Sequence, residues 1–216
     1  MLPLTLGPDR KRLRVLCLGA HSDDIEIGCA GTLLRWIDEY EHLDVTWAVM
    51  SAAGDRGEEA RNSAQSLLHG AAATDIVLGD FEDAHMPADF RRAKAFIGEL
   101  RGRSDVDVVL THSLDDRHQD HRLIAELTWQ SWRNHLVLEY EIPKYEGDLG
   151  RPNIFVPLPK SVAERKVQHL LEHFGSQRSK DWFSADTFLS LMRVRGVECR
   201  SLSGLAEAYL SRKTVI

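Results

Sequence analysis

Short apolar runs alternate with amphipathic segments along the first two thirds of the chain, and this alternation limits the fold more than any other feature. Each run has the length of a buried β-strand, and each segment between runs repeats its apolar residues at three and four positions, as one face of a helix does. Because parallel strands need a helical crossover, the alternation favours a mostly parallel sheet with helices on both faces, a Rossmann-like α/β fold. The predicted strands are Leu13 to Ala20, Val45 to Met50, Ile76 to Leu78, Val106 to Thr111 and Leu136 to Ile142.

Helices are predicted between and after these strands. They are a helix from Gly31, Glu58 to Leu68, Ala88 to Leu100, a helix after Asp120, Val162 to Phe174, Ala185 to Arg195, and a third C-terminal helix at Ser201 to Ser211. The stretch from Pro143 to Pro159 holds four of the seven prolines and is predicted to be a loop. Because no Pro/Gly/Ser-rich linker divides the chain, we expect one domain over residues 1–216, with a helical C-terminal cap.

Composition excludes several classes of protein. The chain carries 27 Lys and Arg against 33 Asp and Glu, a formal charge of −6, so a nucleic-acid-binding surface is not expected. Cys17, Cys29 and Cys199 show no paired spacing, which suits a reducing compartment. No apolar run approaches the roughly 20 residues that cross a bilayer. We expect a cytoplasmic protein without a membrane segment.

Two segments rich in His and Asp follow two of the predicted strands. Ala20 to Gly28 reads AHSDDIEIG after the first strand, and His112 to His121 reads HSLDDRHQDH after the fourth. In a doubly wound sheet the first and fourth strands are commonly neighbours, and ligands bind in the crevice at their carboxyl ends. We therefore expect the two segments to face each other.

The residue types in these segments are those of a metal-dependent hydrolase. His21, Asp24 and His121 supply two imidazoles and a carboxylate, a set that holds zinc on three corners and leaves the fourth open to water. Asp23 is adjacent to Asp24 and so points elsewhere, where it can act as general base. His118 as an imidazolium can stabilise an oxyanion.

Other interpretations of the same residues stay open at this stage. The pair Asp23 and Asp24 is also typical of a helix N-terminus, although two strand-end segments that both combine His with Asp favour a site. The cluster could serve a two-metal phosphoesterase, with Asp115 and Asp116 as spare ligands. The chain could also be a non-catalytic sugar-binding protein, but no ligand or base is missing.

A resemblance to a known family rests on both segments. AHSDDIEIGCAGTL, from Ala20 to Leu33, resembles the signature A-H-P-D-D-E-x-x-x-G-G-x-L of the PIG-L or LmbE-like zinc-dependent de-N-acetylases. DRHQDH, from Asp116 to His121, resembles the second motif of that family, D-x-H-x-D-H. Ser22 replaces the usual Pro and Ala30 the first Gly of the usual pair, and neither residue matches a ligand.

The resemblance implies a role for each matching residue. It implies Zn²⁺ as cofactor, held by His21, Asp24 and His121. It makes Asp23 the general base, and it gives His118, supported by Asp120, the task of assisting the tetrahedral intermediate.

The substrate is also implied by the resemblance. Arg61 matches a substrate-site arginine and Asp83 lies near where the family often has a substrate-contacting Asp, so both are expected to bind an N-acetylated amino sugar of the N-acetylglucosamine type. The basic run Arg10 to Arg12 follows Asp9 and is too short to hold an anionic membrane surface. We therefore expect a water-soluble sugar conjugate as substrate, and a homo-oligomer stays open.

Overall fold

Seven strands form one mixed sheet in the order β3-β2-β1-β4-β5-β7-β6. The computed structural model describes residue 6 and residues 11–103 and 105–215, so Asp9 and the first residue of the short basic run, Arg10, lie outside the described residues. The strands are β1 Arg12–His21, β2 His42–Ser51, β3 Ala73–Leu78, β4 Val108–Thr111, β5 Leu136–Tyr140, β6 Ile154–Pro157 and β7 Ala206–Leu210. The α-helices are α1 Asp24–Glu39, α2 Gly54–Leu67, α3 Phe90–Arg103, α4 Gln119–Ser131, α5 Lys160–His173 and α6 Ala185–Glu198.

The predicted α/β fold is confirmed for the first five strands. These strands are parallel, and β4 pairs with β1 in the register Val15 to Val108. Successive residues of β1 point to opposite faces of the sheet: Val15 and Cys17 join a core with α1, α2, α5 and α6, whereas Leu16 and Leu18 join a core with α3 and α4. The carboxyl ends of β1 and β4 therefore meet at the centre of the sheet, as predicted. No helix in the described part of the chain has the length and apolar character that a membrane span requires.

The C-terminal third differs from the prediction of a purely helical cap. The loop from Pro143 to Pro159 contains β6, and the helix predicted at Ser201 to Ser211 is wrong because residues 206–210 form β7. β7 pairs antiparallel with both β5 and β6. Four consecutive residues of β7 are buried, from Ala206 to Tyr209, so this strand lacks the alternation that identifies a half-buried strand.

The first helix begins at Asp24, seven residues before the predicted start at Gly31. The prediction placed Gly28 and Gly31 at the start of the helix. Both instead lie inside α1, where side chains of neighbouring elements approach the backbone closely. A Cβ on Gly28 would stand 2.4 Å from Cδ2 of Tyr140, and a Cβ on Gly31 would stand 2.5 Å from Cδ1 of Leu158. Glycine at these positions therefore lets α1 lie close against β5 and against the short segment between β6 and α5.

A buried ion pair joins α5 to the last strand, and hydrogen bonds from both of its members reach α1. Nζ of Lys166 lies 2.6 Å from Oε1 of Glu207, and both side chains are almost fully buried. Lys166 also donates to the carbonyl of Ile27, while the carboxylate of Glu207 accepts from the backbone N–H groups of Gly31 and Thr32. Because each charge is paired and further hydrogen-bonded, the burial of both is tolerated.

Breaking this pair is expected to destabilise the whole fold. Lys166→Met leaves the carboxylate of Glu207 buried without its cation, which costs about 3–5 kcal/mol of unfolding free energy. Lys160→Met, on the same helix, removes one partner of the exposed pair with Glu164 and is expected to cost under about 1 kcal/mol. Urea unfolding of both variants measures the difference, and equal losses would contradict the structural account.

Candidate metal centre

Three polar side chains converge where β1 and β4 end. His21 is the last residue of β1, Asp24 is the first residue of α1, and His121 lies in the first turn of α4. Nδ1 of His21 lies 3.4 Å from Oδ2 of Asp24 and 3.2 Å from Nε2 of His121, and the third distance, from Asp24 to His121, is 3.5 Å. The predicted meeting of the two segments is therefore observed at the level of individual atoms.

The spacing of these three atoms fits a metal ion. In a tetrahedral site with bonds of about 2.0–2.1 Å, neighbouring donor atoms lie about 3.3–3.4 Å apart. The three observed distances bracket that value. Two imidazole nitrogens and a carboxylate oxygen also form a donor set that zinc accepts, although other divalent ions share that preference.

The charges around His21 also fit a cation. Burial alone lowers the pKa of His21, but hydrogen bonds to the surrounding carboxylates raise it well above its usual value. These carboxylates belong to Asp120, Asp24 and Asp83. In the same cluster burial alone raises the pKa of Asp24, whereas the charges of His121 and His112 bring it well below its usual value. The cluster thus stabilises positive charge next to ionised carboxylates, as a cation site does.

In both His21 and His121, a carboxylate oxygen contacts the ring nitrogen that faces away from the other two donor atoms. Nε2 of His21 lies 3.2 Å from Oδ2 of Asp120, and Nδ1 of His121 lies 2.9 Å from Oδ2 of Asp116. Asp120 is itself fixed, because its two oxygens accept the backbone N–H groups of Ala84 and Met86. Such contacts fix the ring orientation and tautomer that a metal ligand needs.

The expected support of His118 by the Asp120 carboxylate differs from the observed contacts. That carboxylate lies against His21, whereas His118 accepts a hydrogen bond at Nδ1 from the backbone N–H of Asp120, 3.3 Å away. Burial, followed by the charges of His121 and His21, lowers the pKa of His118. The expected imidazolium is therefore disfavoured, and a neutral ring that accepts at Nδ1 carries its proton on Nε2.

Asp23 contacts an arginine that the sequence analysis did not single out. Its Oδ1 lies 2.7 Å from Nη2 of Arg56, in the first turn of α2, and its side chain is almost fully buried. Oδ2 of Asp23 accepts no hydrogen bond from the described residues. Arg61 is exposed on the same helix, and the described residues give it no contact with the cluster. The substrate role of Arg61 therefore stays a prediction without a contact to support it.

Asp83 reaches the cluster from the loop before α3. Its Oδ1 lies 2.9 Å from Nε2 of His21, yet 74% of its side chain is exposed. The hydrogen bond to His21 lowers the pKa of Asp83 to about 2, so it is a carboxylate at neutral pH. A charged group that touches a ligand and also faces solvent is well placed to contact a substrate.

Sequence reasoning missed Asp116 as the partner of His121. Asp116 begins the second motif, so the motif itself was the signal, but the spacing of the motif does not show which imidazole each Asp contacts. Asp116 also pairs with Lys144, whose Nζ lies 3.1 Å from Oδ2 of Asp116, and Asp115 pairs with Arg212. The spare ligands that a two-metal phosphoesterase would need are thus already paired with basic groups.

The comparison with known families settles the family of the chain. The family profile described as PIG-L, GlcNAc-PI de-N-acetylase, matches residues 16–132, which include both motifs and all three converging side chains. The chain belongs to the PIG-L family. Among curated proteins, the uncharacterized deacetylase YaiS of Escherichia coli K12 is 26% identical over 186 residues, which cover 78% of this chain and 94% of YaiS.

Solved structures share the fold of this PIG-L family member at low sequence identity. The 4-carboxy-2-hydroxymuconate hydratase GalB of Pseudomonas putida is similar with a TM-score of 0.75 and 19% identity, over 94% of this chain and 98% of GalB. The N,N′-diacetylchitobiose deacetylase of Pyrococcus horikoshii has a TM-score of 0.66 and 18% identity, over 92% and 83% of the two chains. The teicoplanin deacetylase Orf2, solved in a zinc-inhibited form, has a TM-score of 0.69 and 14% identity, over 94% and 100%.

Proposed function

We propose that this protein is a zinc-dependent hydrolase that removes the acetyl group from an N-acetylated amino sugar. The observation that carries the proposal is the triangle of His21, Asp24 and His121 donor atoms at metal-ligand spacing, with the buried carboxylate of Asp23 on the residue directly before Asp24. Membership of a de-N-acetylase family and the deacetylase relative support the reaction class.

The donor atoms of His21, Asp24 and His121 would hold the ion. When bound there, a divalent cation supplies Lewis acidity, which makes water a better nucleophile and polarises the amide carbonyl. Asp116 and Asp120 would keep the two imidazoles oriented throughout the reaction.

Asp23 would move the proton. Arg56 occupies its Oδ1, which leaves Oδ2 to take a proton from the attacking water while the water oxygen bonds to the acetyl carbon. When the C–N bond breaks, the same carboxyl returns the proton to the leaving nitrogen, so the products are acetate and the free amine. The neutral ring of His118 would donate from Nε2 to the carbonyl oxygen as negative charge develops on it.

The sugar is proposed from the family description and from relatives. The family description names a GlcNAc-containing substrate, and two relatives with this fold are deacetylases of diacetylchitobiose and teicoplanin. Asp83, with its exposed carboxylate 2.9 Å from His21, is the group that we expect to accept hydrogen bonds from sugar hydroxyls. An N-acetylglucosamine-type sugar on a soluble carrier and the cytoplasmic location stay predictions.

An amine-release assay on N-acetylated sugars and glycosides, with the metal content measured on the same sample, tests the proposal. We expect release of equal amounts of amine and acetate, one zinc per chain, and loss of activity on chelation with recovery on adding zinc. Hydrolysis of phosphate esters with two metals per chain would favour the phosphoesterase instead. Addition of water to an unsaturated acid without amine release would favour a hydratase.

Arg56 and Arg61, the two arginines of α2, provide a matched test of which arginine supports the reaction. Arg56→Ala is expected to lower kcat/KM by on the order of 10-fold or more, because it removes a charge-assisted hydrogen bond from Asp23, while zinc stays bound. Arg61→Ala, on the exposed face of the same helix, is expected to change kcat/KM less than about 3-fold. The larger loss for Arg61→Ala would restore the assignment implied by the resemblance.

A further inference from the structure

One more histidine, which is buried, adjoins the metal centre and has no role in the proposed chemistry. His112 directly follows β4, and its side chain is fully buried. Its Nε2 lies 3.2 Å from Oδ2 of Asp24, the oxygen that belongs to the ligand triangle. Its ring stacks on the ring of His121 at a centroid distance of 3.9 Å and an interplanar angle of 19°.

His112 also contacts the strand that carries the third ligand. The backbone N–H of Ala20, next to His21, donates to Nε2 of His112 at 2.9 Å. The hydroxyl of Tyr140 lies 3.2 Å from the same nitrogen, and Tyr140 packs on Gly28 of α1. One imidazole thus joins the end of β1, the start of α1 and the first turn of α4.

The hydrogen bonds of His112 argue against a role as a ligand. A neutral imidazole nitrogen has one lone pair, and at Nε2 that lone pair accepts the N–H of Ala20. If Nε2 carried the proton instead, it would have no lone pair for a metal. Nδ1 of His112 is buried and has no hydrogen-bond partner among the described residues, a cost that a space-filling phenylalanine at this position would not carry.

We infer that His112 is a positioning residue: it holds the end of β1, next to His21, through the N–H of Ala20, and it stacks on His121, so that the imidazole ligands keep the arrangement that binds the metal. The inference rests on the metal site of the proposed function and not on the identity of the substrate. Contacts of this kind typically change metal affinity by 10- to 100-fold, roughly.

The test compares two substitutions that each keep a different property of the ring. His112→Phe keeps the stacking on His121 and removes the acceptor nitrogen, whereas His112→Gln supplies an amide oxygen that can accept the N–H of Ala20 but has no ring to stack. His169→Phe is the control for loss of a buried histidine, because His169 contacts Ser63 and none of the three ligands among the described residues. The readouts are the zinc dissociation constant, from competition with a chromophoric chelator, and the melting temperature without metal.

We expect His112→Phe to weaken zinc binding about 10- to 100-fold, His112→Gln to recover part of that loss, and His169→Phe to leave zinc affinity unchanged. Unchanged zinc affinity in His112→Phe would overturn the inference, and so would a glutamine variant no better than phenylalanine. Complete loss of zinc in both variants, as expected for a true ligand, would also overturn it. If the unsubstituted protein binds no zinc, the proposed function fails first, and the two failures are thereby distinguished.

Discussion

Asp24→Ala is expected to release the metal and to abolish activity. Asp24 supplies the only carboxylate oxygen of the triangle among the described residues, and that oxygen lies within 3.5 Å of both imidazole donors. Lewis-acid stabilisation is worth several kcal/mol, so kcat/KM should fall by on the order of 10³ or more. Metal analysis of the purified variant, with activity measured at rising zinc concentrations, checks the result.

Asp115→Asn is the matched control. Asp115 belongs to the same segment as His121, but it is exposed and pairs with Arg212 instead of a ligand. We expect this variant to keep its zinc and most of its activity. An Asp24→Ala protein that retains one zinc per chain after dialysis would rule out the assigned ligand set.

Asp23→Asn is expected to separate chemistry from metal binding. The amide can keep a hydrogen bond from Arg56 at its oxygen, but it cannot take a proton from water. We therefore expect kcat to fall by about 10²–10⁴-fold while the zinc content stays at that of the unsubstituted protein. The measurement is kcat at saturating substrate together with metal content.

The same substitution at the adjacent residue, Asp24→Asn, is the comparison for Asp23→Asn. If Asp23→Asn emptied the site and Asp24→Asn left it full, the roles of the two carboxylates would be exchanged. A modest fall in kcat with full zinc content would instead indicate a different base, and Asp83 is the next carboxylate to test.

The sequence was most informative where backbone topology fixes position. The ends of β1 and β4 meet because parallel strands share an edge of the sheet, so the convergence of His21, Asp24 and His121 follows from their places after the two strands. The carboxylates that contact His21 and His121 cannot be predicted from strand topology in the same way. Which carboxylate reaches which imidazole depends on side-chain directions within α4 and on the loop before α3, which carry no periodic signal.

The arginine of α2 shows a second limit of the sequence. Arg61 lies five positions after Arg56, so its side chain is rotated by about 140° around the helix axis. The prediction began this helix at Glu58, whereas the structure begins it at Gly54, so Arg56 was not considered as a helical residue. The prediction of a helix at Ser201 to Ser211 was wrong for a different reason. The consecutive buried residues of β7 do not alternate between apolar and polar, so the sequence carries no period of two there.

The ion pair between Lys166 and Glu207 has a consequence for biosynthesis. The ribosome completes both histidine-rich segments long before it reaches Glu207, whose carboxylate accepts the N–H groups of Gly31 and Thr32 in the helix that begins with Asp24. Until β7 emerges and docks, that carboxylate cannot reach these amides or the ammonium of Lys166. The helix that presents Asp24 thus reaches its final packing only after translation of the last strand. The metal centre is therefore completed late in the maturation of the protein.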